Sequence, residues 1–142
     1  MKNPVQTIRK TLSPNDVGET STHQAGILVP KTGGVLGFFP KLHRETKNPR
    51  CTLVFIDEDG VTRWPFEFIY YNNSQLGGTR NEYRLTGMTR YIRSKNLKAG
   101  SEIFLSKDDE GRLYISAGRG TAVTTEGPLK LSAGWKVVRI KP

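Results

Sequence analysis

Arg50-Cys51-Thr52-Leu53-Val54-Phe55-Ile56-Asp57-Glu58-Asp59-Gly60-Val61-Thr62-Arg63-Trp64-Pro65-Phe66-Glu67-Phe68-Ile69-Tyr70-Tyr71 is the stretch that decides the fold class. Residues 50–57 have strand composition, Asp59-Gly60 is a favoured hairpin turn, and residues 61–71 pair back. In the second strand Trp64, Phe66, Phe68 and Tyr70 recur with a period of two, so they share one face. Such a stripe is what a barrel interior needs; its other use is as a stacking platform for single-stranded bases. Pro65 cannot donate to a ladder, which predicts an edge position or a bulge.

Working outward, residues 5–11 read as a first strand carried by Val5 and Ile8, and Ile27-Leu28-Val29 as a short buried strand stopped by Pro30. The segment 35–40 is apolar, but too short and too broken by Gly37 for a helix. Residues 80–86 form a strand, and 88–96 are the best helix candidate, with Tyr91 and Ile92 inward and Arg90, Arg93 and Lys95 outward. Strands follow at 102–107, at 112–117, where Leu113, Ile115 and Ala117 alternate with polar neighbours, and at 135–140. About seven short strands with one or two short helices and no repeat predict an all-β barrel or sandwich. No linker or composition shift divides the chain, so residues 1–142 are expected to form a single domain.

The 142 residues carry 22 Lys and Arg against 13 Asp and Glu, a net charge of +9. A domain this basic usually meets a polyanion, nucleic acid being the commonest. There is no apolar run near the ~20 residues that span a bilayer and no signal-peptide core, so a soluble cytoplasmic protein is expected. The single cysteine, Cys51, excludes an intrachain disulfide framework and reads as a buried strand thiol. His23 and His43 lack plausible partners, and no cluster has metal-ligand spacing. Glu45-Thr46-Lys47 matches a nuclease Glu-x-Lys dyad, with Asp16 the only earlier aspartate, but it falls in a polar segment. Asp57, Glu58 and Asp59 read as solvated turn carboxylates. No catalytic site, metal or cofactor is expected.

The run Gly77-Gly78-Thr79-Arg80-Asn81-Glu82-Tyr83-Arg84-Leu85-Thr86-Gly87 carries the chemistry. In an extended backbone Arg80, Glu82 and Arg84 project to one side, Tyr83 and Leu85 to the other. Such a comb can read base pairs in a major groove: arginine forks onto guanine O6 and N7, and glutamate accepts from cytosine N4. The same three residues can instead form a solvated salt-bridge ladder.

Together with that run, two further segments resemble the N-terminal DNA-binding domain of the EcoRII type of restriction endonuclease: Lys10-Thr11-Leu12-Ser13-Pro14-Asn15-Asp16-Val17-Gly18-Glu19-Thr20 and Thr22-His23-Gln24-Ala25-Gly26-Ile27-Leu28-Val29-Pro30-Lys31. The resemblance implies an open, mainly β pseudobarrel related to the plant B-three domains. Its two arms, near residues 19–31 and 77–84, would grip the major groove of a CC(A/T)GG-type site. It implies Arg80, Asn81, Glu82, Arg84, His23 and Gln24 as base readers, with Ser21, Thr22, Lys31, Gly78, Thr79 and Tyr83 on the backbone or in support. His23 taken alone is an ordinary exposed loop histidine. Tyr83 and Gly78 stand where the family pattern has basic residues. Double-stranded DNA is the implied partner of a monomeric, non-catalytic recognition or effector domain. The nuclease of a type II (IIE-like) enzyme, with its Mg requirement, would then sit in a separate domain of the same polypeptide. A single-strand-binding barrel, a metal-dependent nuclease fragment using Glu45 and Lys47, and a protein-binding module are the alternatives.

Overall fold

The computed structural model describes residues 4–17, 26–31, 34–42, 45–72, 81–118 and 134–140. Eight strands, against the expected seven or so, form one sheet: β1 (Pro4–Thr11), β2 (Ile27–Val29), β3 (Arg50–Ile56), β4 (Arg63–Tyr71), β5 (Glu82–Thr86), β6 (Glu102–Asp108), β7 (Leu113–Gly118) and β8 (Trp135–Ile140). Their order is β2-β5-β4-β3-β7-β6-β1-β8. Every pairing is antiparallel except β3 with β7, which run parallel through Phe55↔Leu113 and Ile56↔Tyr114.

The sheet curls until its two edge strands face each other. The Trp135 indole Nε1 of β8 donates to the Leu28 carbonyl of β2 at 2.7 Å, where a ladder bond would otherwise close the barrel. Trp135 is itself buried, edge-on to Phe39. The result is a nearly closed barrel, and of the two architectures open at the sequence level the sandwich falls away.

The interior is filled as the alternation predicts. Phe66, Phe68 and Tyr70 are buried, and Trp64 is half-buried against the same core. Phe55, Leu85, Ile103, Leu105 and Ile115 complete the lining. Pro65 lies on an interior strand, not an edge, but the register explains why it is tolerated. It faces Val54 on β3, while β5 reaches only Glu67–Tyr71 on the other flank, so no ladder bond is lost there.

The helix α1 (Thr89–Ser94) is shorter than the expected 88–96. Asn96 takes a left-handed φ of 56°, Leu97 N–H donates to Ile92 O and Asn96 N–H to Arg93 O, the paired bonds of a Schellman stop. Its buried Tyr91 packs edge-on against Trp64 and Phe66. Among the described residues no helix is long and apolar enough to cross a membrane. The apolar run at 35–40 yields one 3-10 turn, Leu36–Phe38. Lys107 Nζ donates to the Phe38 carbonyl at 2.7 Å, and burial lowers the pKa of this lysine.

Two expectations need correction. Cys51 is half-buried on β3, its thiol pKa raised by burial and then by the Glu67 carboxylate. Asp57 is not solvated: it is buried, takes the Glu58 amide, and pairs with Lys95 Nζ at 3.0 Å. Its neighbour Asp59 does hold the turn, accepting from the Val61 and Thr62 amides and the Thr62 hydroxyl.

The fold is expected to weaken in acid for a definite reason. Burial alone would raise the Asp108 carboxyl, but hydrogen bonds from the Arg112 amide and side chain, the Glu110 amide and the Tyr114 hydroxyl outweigh it and bring it to about 2. Hydrogen bonds from the Thr62 hydroxyl, the Thr62 amide and the Val61 amide bring Asp59 to about 2 as well. An unfolded aspartate titrates near ~3.9, so both groups stabilise the fold fully above about pH 4. That contribution disappears as pH falls through about 2. Thermal unfolding followed from pH 5 to 2 should show Tm dropping across that window, and Asp108→Asn should flatten the drop.

Barrel closure yields a second expectation. Trp135→Phe keeps an aromatic ring but leaves the Leu28 carbonyl without its donor, which should cost about 1–3 kcal/mol in urea unfolding. An unchanged midpoint would show that the edges stay together without this bond.

Candidate nucleic-acid interface

The run of alternating residues after Gly77 becomes β5, and its two faces separate as the period of two requires. Leu85 is fully buried and Tyr83 packs against the core, while Glu82, Arg84 and Thr86 lie half-buried on the opposite face. β2 runs antiparallel beside it, with Ile27↔Leu85 and Val29↔Tyr83 in register. The segments 18–25 and 73–80 therefore join this strand pair at opposite ends, one at Gly26 and the other at Asn81.

Gly26 is a glycine for a geometric reason. Its φ is +90°, and a Cβ there would lie 2.5 Å from Thr86 Cγ2 and 3.0 Å from the Leu85 carbonyl oxygen. This close approach brings the Gly26 carbonyl to Arg84, whose Nη1 donates to it at 2.8 Å. Arg84 Nε donates to Glu82 Oε2, also at 2.8 Å. One guanidinium thus ties β5 to the entrance of β2, and its planar fork is held in one pose with further N–H donors to present.

The other end of the pair has its own tie. Asn81 Oδ1 accepts from Lys31 Nζ and from the Tyr70 hydroxyl, each at 2.8 Å. Tyr83 turns inward. It lies between Tyr70 (ring centroids 4.3 Å apart, planes 12°) and Phe68 (5.6 Å, 17°). Phe68 in turn stacks on Phe39 at 4.6 Å.

Just before residue 18, the chain is pinned by a buried ion pair. Asp16 Oδ2 meets Lys10 Nζ at 3.1 Å and accepts the Ser13 amide, while the Ser13 hydroxyl takes the Asp16 amide. A cleft of about 480 Å³ runs from this pair past Leu28 to Arg84.

Of the residues singled out in the sequence, Asn81, Glu82, Arg84, Tyr83 and Lys31 come together on the β2–β5 pair. Arg80, His23, Gln24, Ser21, Thr22, Gly78 and Thr79 lie outside the described residues. The sequence reading missed Tyr70 and Gly26: Tyr70 was legible only as an interior ring, because its hydroxyl finds Asn81 through the β4–β5 register. Glu45 and Lys47 are exposed, and Asp16 is occupied by Lys10, so the three do not read as a metal triad. Among the described residues no group of three or more His, Cys, Asp or Glu could hold a metal ion. The aromatic stripe of β4 is spent on the core, since Phe66, Phe68 and Tyr70 expose almost nothing for a base to stack on.

The eight-stranded, nearly closed sheet with few helices is a pseudobarrel, and solved structures share the fold. The chain superposes on an Arabidopsis FUS3–DNA complex with a TM-score of 0.62, 22% identity, and coverage of 80% of this chain and 96% of that one. It superposes on the UbaLAI restriction endonuclease B3 domain with cognate DNA at a TM-score of 0.59, 18% identity, and coverage of 96% and 89%. By sequence it is 38% identical to the type II restriction enzyme EcoRII of Escherichia coli over 79 residues, 54% of this chain and 19% of that enzyme. The chain spans less than a fifth of the length of each of the first curated relatives it matches. The family model described as restriction endonuclease EcoRII, N-terminal, matches residues 2–109. The chain belongs to that family.

The Gly26 geometry makes a local prediction. Gly26→Ala forces an L residue into a left-handed conformation against Thr86 and should cost about 1–3 kcal/mol. Urea unfolding checks it, and a neutral result would show that β2 can lift away from β5.

Proposed function

We propose that this domain binds double-stranded DNA sequence-specifically, reading a short CC(A/T)GG-type site in the major groove through two arms. The observation that carries the reading is the pose of Arg84. Its guanidinium is clamped by Glu82 and by the Gly26 carbonyl on the strand pair that both arm segments join. A preorganised fork loses little freedom when it meets guanine O6 and N7, and Glu82 beside it is suited to cytosine N4. The contact that could have been a mere salt-bridge ladder is in this reading the device that aims the arginine.

Family membership and the DNA named with both solved neighbours support the choice of partner. Arg80, His23 and Gln24 would complete the base-reading set. Ser21, Thr22, Gly78 and Thr79 would serve the backbone, with Lys31 at the phosphate edge. Asn81 has its carbonyl oxygen occupied, so its amide N–H groups are what it offers a base. The +9 charge supplies the sequence-independent attraction. The domain would act as the non-catalytic, cytoplasmic recognition or effector module of a type II restriction endonuclease, monomeric when isolated. Cleavage would belong to a nuclease domain of the same polypeptide.

The test is a fluorescence anisotropy titration on a duplex carrying CCTGG and on a scrambled duplex, at ~150 mM salt so that non-specific phosphate binding does not mask discrimination. Arg84→Ala should cost about 1–3 kcal/mol on the cognate duplex and much less on the scrambled one. Equal affinity of the unaltered chain for both duplexes would refute the reading. Equal losses on both would reduce Arg84 to a phosphate contact.

A further inference from the structure

We infer that Tyr70 and Tyr83 are positioning residues for base reading, acting through Asn81; the inference rests on the DNA-binding reading above. Four rings, Phe39, Phe68, Tyr83 and Tyr70, stack face to face with interplanar angles of 14°, 17° and 12° along the column. The column starts in the barrel core and ends at the Tyr70 hydroxyl, which donates to Asn81 Oδ1. Tyr70 is 3% exposed, so its ring cannot move without repacking the core.

Asn81 by contrast is exposed, and a surface asparagine normally samples several rotamers. Here two donors converge on one oxygen. The Tyr70 hydroxyl comes from the core and the Lys31 ammonium from the end of β2. With the oxygen held by two donors, the side-chain rotamer is fixed and the amide N–H groups are what Asn81 has to offer a partner. Lys31 stands just past the end of β2 and Tyr70 on β4, so the same oxygen ties both neighbouring strands to the start of β5. Tyr83 supports Tyr70 directly, its ring stacked on the Tyr70 ring at 4.3 Å and on Phe68 below it.

Tyr70→Phe removes the hydroxyl and keeps the column, so the fold should persist. The cognate-to-scrambled affinity ratio should fall about three- to tenfold, the worth of one net hydrogen bond. Affinity for the scrambled duplex should not change. In the DNA-free protein the Asn81 side-chain amide resonances should shift. In an Asn81→Ala background, Tyr70→Phe should have no further effect on the ratio, which a merely structural role would not produce. A discriminating chain whose ratio ignores Tyr70→Phe, or in which the two losses add in full, overturns this inference alone. A chain that does not discriminate at all refutes the DNA reading, and the positioning role with it.

Discussion

The bond from the Trp135 indole to the Leu28 carbonyl is the constraint on which the architecture depends. An open sheet of eight strands has two edges, each with a row of unpaired backbone groups. Here the edges are β2, only three residues long, and β8, contributed from near the end of the chain. No strand ladder joins them. Among the described residues the buried Trp135 side chain does, which brings the barrel near closure while leaving β2 short. Trp135 also fills the space beside Phe39, so closure and core packing are one event.

The closed frame turns β2 and β5 into a platform. β5 is anchored from beneath by Leu85 and Tyr83, and β2 is pressed on it by the Gly26 approach. The polar groups are used in sets: Arg84 with Glu82 and the Gly26 carbonyl on the outer face, and Asn81 with Lys31 and the buried Tyr70 hydroxyl at the other end of the pair. The Arg84–Gly26, Asn81–Lys31 and Asn81–Tyr70 bonds each cross from one strand to its neighbour. The strand pair is thus cross-linked at both ends, which holds Arg84 and Asn81 in fixed relative positions.

The acidic residues divide by role in the same way. Asp16, Asp57, Asp59 and Asp108 are all engaged in ion pairs, capping bonds or turns of the frame. The chain as a whole keeps a net charge of +9, which suits a polyanion partner.

The sequence by itself determined the strands and the faces. Alternation in Trp64–Tyr70 and in Tyr83–Leu85 states which side chains go inward, because a strand's period of two leaves no other option. It also determined that Arg84 and Glu82 share an outer face, and the three quoted segments carried the family resemblance. What it left open was every property that depends on register between distant strands. Pro65 sits on an interior strand because β5 ends short of it, and Trp135 meets Leu28 across 107 positions of chain. Tyr70 reaches Asn81 only because β4 and β5 pair with Tyr70 opposite Tyr83. Local pattern encodes which face a residue occupies; who stands opposite it is set by how the whole sheet curls and closes, and only the tertiary structure decides that.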